Sequence, residues 1–157
     1  MARRRQRVRR ANVEYSGDMD LSALVDRVRP LTAHEVVIGV EGNEEIALVA
    51  AVHEFGSAKM NIPARSFIGT GKKKAQVAIG KLVRAGVNEI ALGNKTVDSL
   101  LQEIGELGQQ RVVKNFDRIK QPGLSAIYAR YKTGKRLLQA DMDLRESIVF
   151  RVRRKGG

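Results

Sequence analysis

The chain has 157 residues, enough for one compact domain that buries roughly 70% of its unfolded surface. It contains no cysteine, which excludes disulfides, thiolate metal sites and cysteine nucleophiles. No apolar run approaches the roughly 20 residues of a membrane span, and the Arg-rich start lacks the apolar core of a secretory signal. We therefore expect synthesis in the cytoplasm and no membrane partner.

The net charge of +12 is concentrated at the two ends of the chain. Residues 151–157 carry four cations, and residues 1–10 carry six arginines and no acid: Arg3, Arg4, Arg5, Arg7, Arg9 and Arg10. These ten leave +2 for residues 11–150, since 12 minus 10 is 2. A block of like charges repels itself and buries nothing. We interpret the six arginines either as a solvated tail or as a contact with DNA phosphate or an acidic partner.

The first third of the chain predicts helix, strand and helix. Residues 20–30 place apolar side chains at helical spacing, with Pro30 beyond the helix end. The β-branched run at residues 36–40 predicts a strand buried on both faces or nearly so. Asn43 is then the expected N-cap of a helix of about three turns, which ends at Gly56.

The remainder predicts two longer helices and a final strand. One helix is expected over about 72–91, closed by Gly93, and the next from Thr96 to about Val113. Residues 115–139 are expected to be irregular, and residues 143–152 to form a helical turn that feeds a strand. The predicted fold is α+β: a small sheet packed with several helices in a single domain over 16–153, a flexible basic arm over 1–15 that is disordered or ordered by a partner, and a flexible tail over 154–157.

His53 and Glu54 stand side by side like the start of a zinc or acid/base site. A zinc helix of the HExxH type needs a second histidine four residues after the first, where Ser57 stands. Neighbouring side chains also point to different sides of a helix, so one ion is difficult to share. We predict no metal ligand here.

The glycines and lysine at residues 69–72 invite a phosphate-loop interpretation. The Walker pattern needs a glycine where Ser66 stands and a serine or threonine where Lys73 stands. Because both positions fail and no carboxylate pair is singled out, we predict no catalytic or cofactor-binding residue. The chain is not expected to be an enzyme.

Three stretches, AAVHEFG, NIPARSF and LLQADMDLRESIVFRV, resemble a family of tailed-bacteriophage virion morphogenesis proteins. These are minor tail, tail-completion or head–tail joining neck proteins. Ser57 and Ser66 depart from the threonine and proline usual in that family, and Met142-Asp143 replaces its Thr-Gly turn. The positions that match, and that define the predicted assembly motif, are Glu54, Phe55, Gly56, Pro63, Ala64, Arg65, Phe67, Asp141, Leu144, Ser147 and Ile148, with Ala51 and Leu138 as further matches.

The resemblance implies a structural virion protein that joins or completes the tail at the head–tail interface. It implies a homo-oligomeric ring, expected to be a hexamer, which contacts tail terminator or tail tube proteins on one side and head connector proteins on the other. Such a protein is assembled in the host cytoplasm and can contact phage DNA without sequence preference. Within the motif we expect Phe55 and Phe67 to anchor the core, which leaves Glu54 and Arg65 as polar groups able to pair within or between subunits.

Two other functions fit the same residues. One is a sequence-independent basic nucleic-acid-binding protein, in which the arginine arm supplies the affinity. The other is a hydrolase with an unrecognised site around His53 and Glu54.

Overall fold

The computed structural model describes residues 21–124, 130 and 143–156. The fold is α+β, as predicted. The elements in chain order are α1 (Leu21–Val28), α2 (Pro30–Ala33), β1 (His34–Val40), α3 (Glu44–Phe55), α4 (Ile68–Leu92), α5 (Val97–Arg118), α6 (Asp143–Glu146) and β2 (Ile148–Arg154). The Arg-rich arm, Leu138 and Asp141 lie outside the described residues. In the described ranges, no helix combines the length and the apolarity needed to cross a bilayer.

The sheet consists of β1 and β2, paired antiparallel so that Ile38 lies opposite Phe150. One face of the pair packs on α5, where two glycines leave room for it. A Cβ on Gly105 would lie 2.0 Å from the Phe150 ring, and a Cβ on Gly108 would lie 2.5 Å from Ile38 Cδ1. The sheet therefore approaches the α5 backbone closely.

The opposite face of the sheet is open to solvent, so the prediction of a strand buried on both faces is wrong. Val37 on that face is 36% exposed. Beside it, Arg153 Nε forms an ion pair with Glu35 Oε1 at 2.8 Å. A two-stranded sheet can be covered on one face by α5 while the other face remains at the surface.

The longest contact in the fold is the antiparallel pair of α4 and α5. A Cβ on Gly71 would lie 2.9 Å from Val112 Cα, and a Cβ on Gly86 would lie 2.3 Å from Leu100 Cδ1. Small residues at both ends of the contact thus let the two helices approach closely. The main core cluster lies at the Gly71 end and contains Ala50, Phe67, Val112, Phe116, Leu144 and Ile148.

Local sequence signals set several helix ends as predicted. The Asn43 side chain accepts a hydrogen bond from Ile46 N at 2.9 Å, and the Thr96 side chain accepts one from Ser99 N at 3.2 Å. Gly93 ends α4 in the left-handed conformation, with φ at 81°. These three caps are confirmed.

Three boundaries differ from the predictions. Pro30 lies beyond the end of α1, as predicted, but it also begins the short helix α2, which was not predicted. The α5 helix continues to Arg118, so residues 115–118 are helical and not irregular. Its last turns are retained because Asn115 and Phe116 are buried against the rest of the fold. The α4 helix begins at Ile68, before the predicted start near residue 72, because the Glu54 side chain accepts hydrogen bonds from its first amides.

Candidate functional site

The carboxylate of Glu54, at the end of α3, lies at the start of α4. Its Oε2 accepts hydrogen bonds from Phe67 N at 2.8 Å and from Ile68 N at 2.9 Å. Its Oε1 accepts from Gly69 N at 2.9 Å and from Ser66 Oγ at 2.6 Å. The first amides of a helix have no partner within the helix, and a negative charge is favourable there. Glu54 therefore caps α4 from another element, and this cap accounts for the early start of the helix.

These contacts set the protonation state of Glu54. Burial is the largest single influence and raises the pKa of Glu54, but the hydrogen bonds from Ser66, Gly69, Ile68 and Phe67 together outweigh it. The net pKa lies below the ordinary value of 4.5. The carboxylate is thus charged at neutral pH, and its charge is used to order the chain.

Arg65 forms a second set of hydrogen bonds next to that of Glu54, and we call these two side chains with their bonds the two clamps. Its side chain is buried, with 6% of the residue exposed. Its Nε donates to Pro122 O and its Nη2 donates to Gly123 O, each at 2.8 Å. Its backbone N donates to His53 O at 2.6 Å. Arg65 therefore ties the segment before α4 both to the end of α3 and to the chain that follows α5.

Glu54 and Arg65 do not pair with each other within the subunit. The Glu54 carboxylate accepts from backbone amides at the start of α4, whereas the Arg65 guanidinium donates to the carbonyls of Pro122 and Gly123. This arrangement leaves neither side chain as an open polar group for catalysis.

A narrow loop connects the two clamps. Ser57 N donates to Ile62 O and Ile62 N donates to Ser57 O, both at 2.9 Å, so the chain reverses between them. Gly56 precedes this turn with φ at 78°, and a Cβ there would lie 2.9 Å from Ala64 N and from Ile62 O. Glycine is therefore required by both conformation and space. Pro63 and Ala64, the other motif residues of the loop, are exposed.

Asn115 on α5 supports the start of α4 from the opposite side, and sequence reasoning missed it. It is 3% exposed. Its Nδ2 donates to Phe67 O at 2.8 Å and to Thr70 Oγ1 at 2.7 Å, and its Oδ1 accepts from Lys74 Nζ at 2.6 Å. The available signal was an amide side chain adjoining the buried stripe of α5.

Phe55 points away from the core, so its prediction as a core anchor is wrong. It is 81% exposed, whereas Phe67 is fully buried and packs edge-on against Phe116 with ring centroids 5.2 Å apart. Successive residues of a helix project about 100° apart. Because Glu54 turns toward α4, its neighbour Phe55 faces solvent.

Phe55 belongs to an exposed apolar surface on α3. Leu48, seven residues earlier and thus on the same side of the helix, is 66% exposed. Ala51 lies between them and is also exposed, while Met60 in the narrow loop is 66% exposed. We call these four residues the α3 outer face. The sequence could have indicated this surface, because residues 46–52 are all apolar. A helix that buries only one side needs fewer apolar residues than this.

The motif residues near the C-terminus, Leu144, Ser147 and Ile148, are buried and contribute to the packing of the fold. Leu144 and Ile148 lie in the same core cluster as Phe67, so the two separated parts of the motif meet in the fold. Ser147 is 9% exposed, and its Oγ donates to Leu144 O at 2.8 Å. These residues therefore hold β2 against the Glu54 region.

Comparison of the chain with models of known protein families, with curated proteins and with solved structures gives no significant match.

Proposed function

We propose that the chain is a structural virion protein of a tailed-phage neck, which joins or completes the tail as one subunit of a homo-oligomeric ring. The α3 outer face is the observation that carries this proposal. Exposed apolar patches on a small domain are typical of protein–protein contacts. A helix that is apolar on nearly all sides is normally buried on nearly all sides.

The large side chains of that face are the ones whose burial would contribute most free energy. Full burial of a leucine, methionine or phenylalanine contributes about 1.5–3 kcal/mol each. Leu48, Phe55 and Met60 are all at least 66% exposed, so most of this free energy is unused in the isolated subunit. A contact that covers the three side chains gains several kcal/mol before the cost of association.

The two clamps support the same role because they make the face rigid. Glu54 accepts four hydrogen bonds and Arg65 donates three, and together they hold the segment between α3 and α4 to both helices and to the chain that follows α5. A surface that is already ordered loses less conformational entropy when it associates. Since both side chains are engaged with the fold in this way, the proposed role is structural and not enzymatic.

A second copy of the chain is the proposed occupant of the α3 outer face. The α4 helix is about 37 Å long at 1.5 Å per residue, and it begins at the Glu54 clamp. Its far end carries Leu92, which is 70% exposed. An apolar surface near one end of a rigid helix and an exposed leucine at its other end suit a head-to-tail contact between identical subunits, and such contacts can close into a ring.

Light scattering after size-exclusion chromatography tests the subunit contact. We expect an oligomer for the unaltered chain and a monomer for the double variant Leu48→Gln, Phe55→Gln, with an unchanged circular dichroism spectrum. Leu92→Gln is expected to weaken the oligomer as well. Val77→Gln is the matched control, because Val77 is 72% exposed but belongs neither to the α3 outer face nor to the Leu92 end of α4. An unaltered chain that is monomeric at every concentration, or a double variant with the same mass as the unaltered chain, would contradict the proposed contact.

The position in the virion needs a separate experiment in the phage that encodes the chain. The proposed partners are tail terminator or tail tube proteins on one side of the ring and head connector proteins on the other. We expect loss of the chain to leave filled heads and separate tails, and antibodies against it to label the head–tail joint. Normal joined particles without the chain would refute the neck role.

A further inference from the structure

The exposed side of α4 carries a row of cations. Lys73, Lys74, Lys81 and Arg84 are all exposed and recur at helical spacing on the side of the helix away from its buried glycines. The row extends about 16 Å along the axis at 1.5 Å per residue. Val77, in the middle of the row, is its one large apolar side chain.

A second group of cations lies beside it on α5. Arg111, Lys114 and Arg118 are exposed and follow one another by three and four residues. The hydrogen bond from Lys74 Nζ to Asn115 Oδ1, at 2.6 Å, connects the α4 row to α5 at the residue that follows Lys114. The sheet packs on another side of α5, through Gly105 and Gly108. We call the exposed surface of these two adjacent helices that carries the seven cations the α4–α5 basic face.

Acidic side chains are missing from the segments that build this face. Residues 68–88 and 107–116 contain no aspartate or glutamate. The nearest acid on α5, Asp117, is held by Arg145 through bonds of 3.0 and 3.2 Å. Within the described ranges, no ion pair involves any of the seven cations.

We propose that the α4–α5 basic face binds the phosphate backbone of duplex DNA without reading its sequence. Each strand of a duplex carries one phosphate per about 3.4 Å of the duplex axis, so a row of about 16 Å lies alongside a length of duplex with roughly five phosphates on each strand. Three of the four cations in the α4 row are lysines. A lysine ammonium group acts as a point charge and can bind a phosphate in many orientations. Helices that bind membrane surfaces pair their cations with large apolar or aromatic side chains, and this face offers only Val77. DNA binding by this face does not require a ring, so a test of this binding can fail or succeed independently of the neck role.

Fluorescence anisotropy with a labelled duplex of random sequence, at several salt concentrations, tests the proposal in the full chain. The test variant is Lys81→Gln, Arg111→Gln, Lys114→Gln. The matched control is Lys59→Gln, Arg154→Gln, Lys155→Gln, which removes the same charge from exposed positions elsewhere. The Arg-rich arm is present in every protein, so the difference between the two variants reports on the face.

Each lost phosphate contact lowers the slope of log affinity against log salt by about 0.9. We expect the test variant to lose about two to three in slope and about 10- to 100-fold in affinity near 0.1 M salt, with a much smaller change for the control. Equal affinities and slopes for the two variants would overturn the proposal. So would a test variant that retains DNA binding but no longer binds vesicles containing anionic phosphatidylserine, because the face would then serve a membrane surface.

Discussion

Removal of the Glu54 carboxylate should destabilise the start of α4 far more than an ordinary surface substitution would. Glu54→Ala removes four hydrogen bonds and leaves three backbone amides without their acceptor. Loss of a helix N-cap costs about 0.5–2 kcal/mol, and hydrogen bonds to a charged group contribute about 1.5–3 kcal/mol each. Water can replace part of the loss because Glu54 is only half-buried. We therefore expect a decrease of about 2–4 kcal/mol in the free energy of unfolding.

Glu54→Gln should cost less, about 1–2 kcal/mol, because the amide oxygen still accepts while the charge is lost. Denaturant unfolding measures both values. For a domain of this size, about 1 kcal/mol corresponds to roughly 2–4 °C in Tm. Glu45→Gln is the matched control, since Glu45 is an exposed carboxylate on the same helix, and it should change stability by less than about 0.5 kcal/mol.

Amide hydrogen exchange locates the effect. In Glu54→Gln we expect the amides of Phe67, Ile68 and Gly69 to exchange about tenfold faster or more, because local opening of the first turn becomes easier. Unchanged protection at these three amides, or a Glu54→Ala variant as stable as Glu45→Gln, would refute the assignment of Glu54 as the cap of α4.

Three further predictions concern the charge of Glu54, the guanidinium of Arg65 and the close approach at Gly71. Folding lowers the pKa of Glu54, so the stability from its charge is present above the unfolded value near 4.5 and is lost as the pH falls through the lower folded value. The difference in unfolding free energy between the unaltered chain and Glu54→Gln should thus shrink below that pH in a denaturant series, and a constant difference would contradict the charge argument. Arg65→Lys should destabilise the chain by about 1–3 kcal/mol in chemical denaturation, since one ammonium group cannot reproduce two bonds from a planar guanidinium; a change under about 0.5 kcal/mol would argue against the clamp. Gly71→Ala should lower the Tm because its Cβ meets the α5 backbone at 2.9 Å, whereas Gly80→Ala in the same helix meets nothing within 4 Å and should stabilise by up to about 1 kcal/mol; equal effects would contradict the close packing of α4 on α5.

Local chemistry accounts for the parts of the fold that could be predicted. Asn43, Gly93 and Thr96 set helix ends through bonds to residues within three or four positions, and such signals can be read in a linear sequence. The start of α4 could not be predicted in this way. Its cap, Glu54, lies 14 residues before Ile68, and Phe67 offers no side-chain cap of its own.

The candidate site was only partly predictable for a related reason. Phe67, Leu144 and Ile148 of the motif share one core cluster, but the hydrogen bonds of the other motif residues depend on which backbone groups the fold brings near them. Because the Glu54 side chain turns toward α4, the adjacent Phe55 faces solvent, although a large aromatic side chain is ordinarily expected in a core. Tertiary structure thus converts a presumed core anchor into part of the α3 outer face.

The most direct test of the central claim is whether the α3 outer face is covered when the chain assembles. The chain has no cysteine, so a single cysteine can be introduced at Leu48 or, as a control, at Val77, and labelled with a maleimide. We expect the Leu48→Cys side chain to be protected in the oligomer and to react freely after dissociation, while Val77→Cys reacts equally in both states. Equal labelling of Leu48→Cys in the oligomer and in the monomer would show that this face is not the subunit contact.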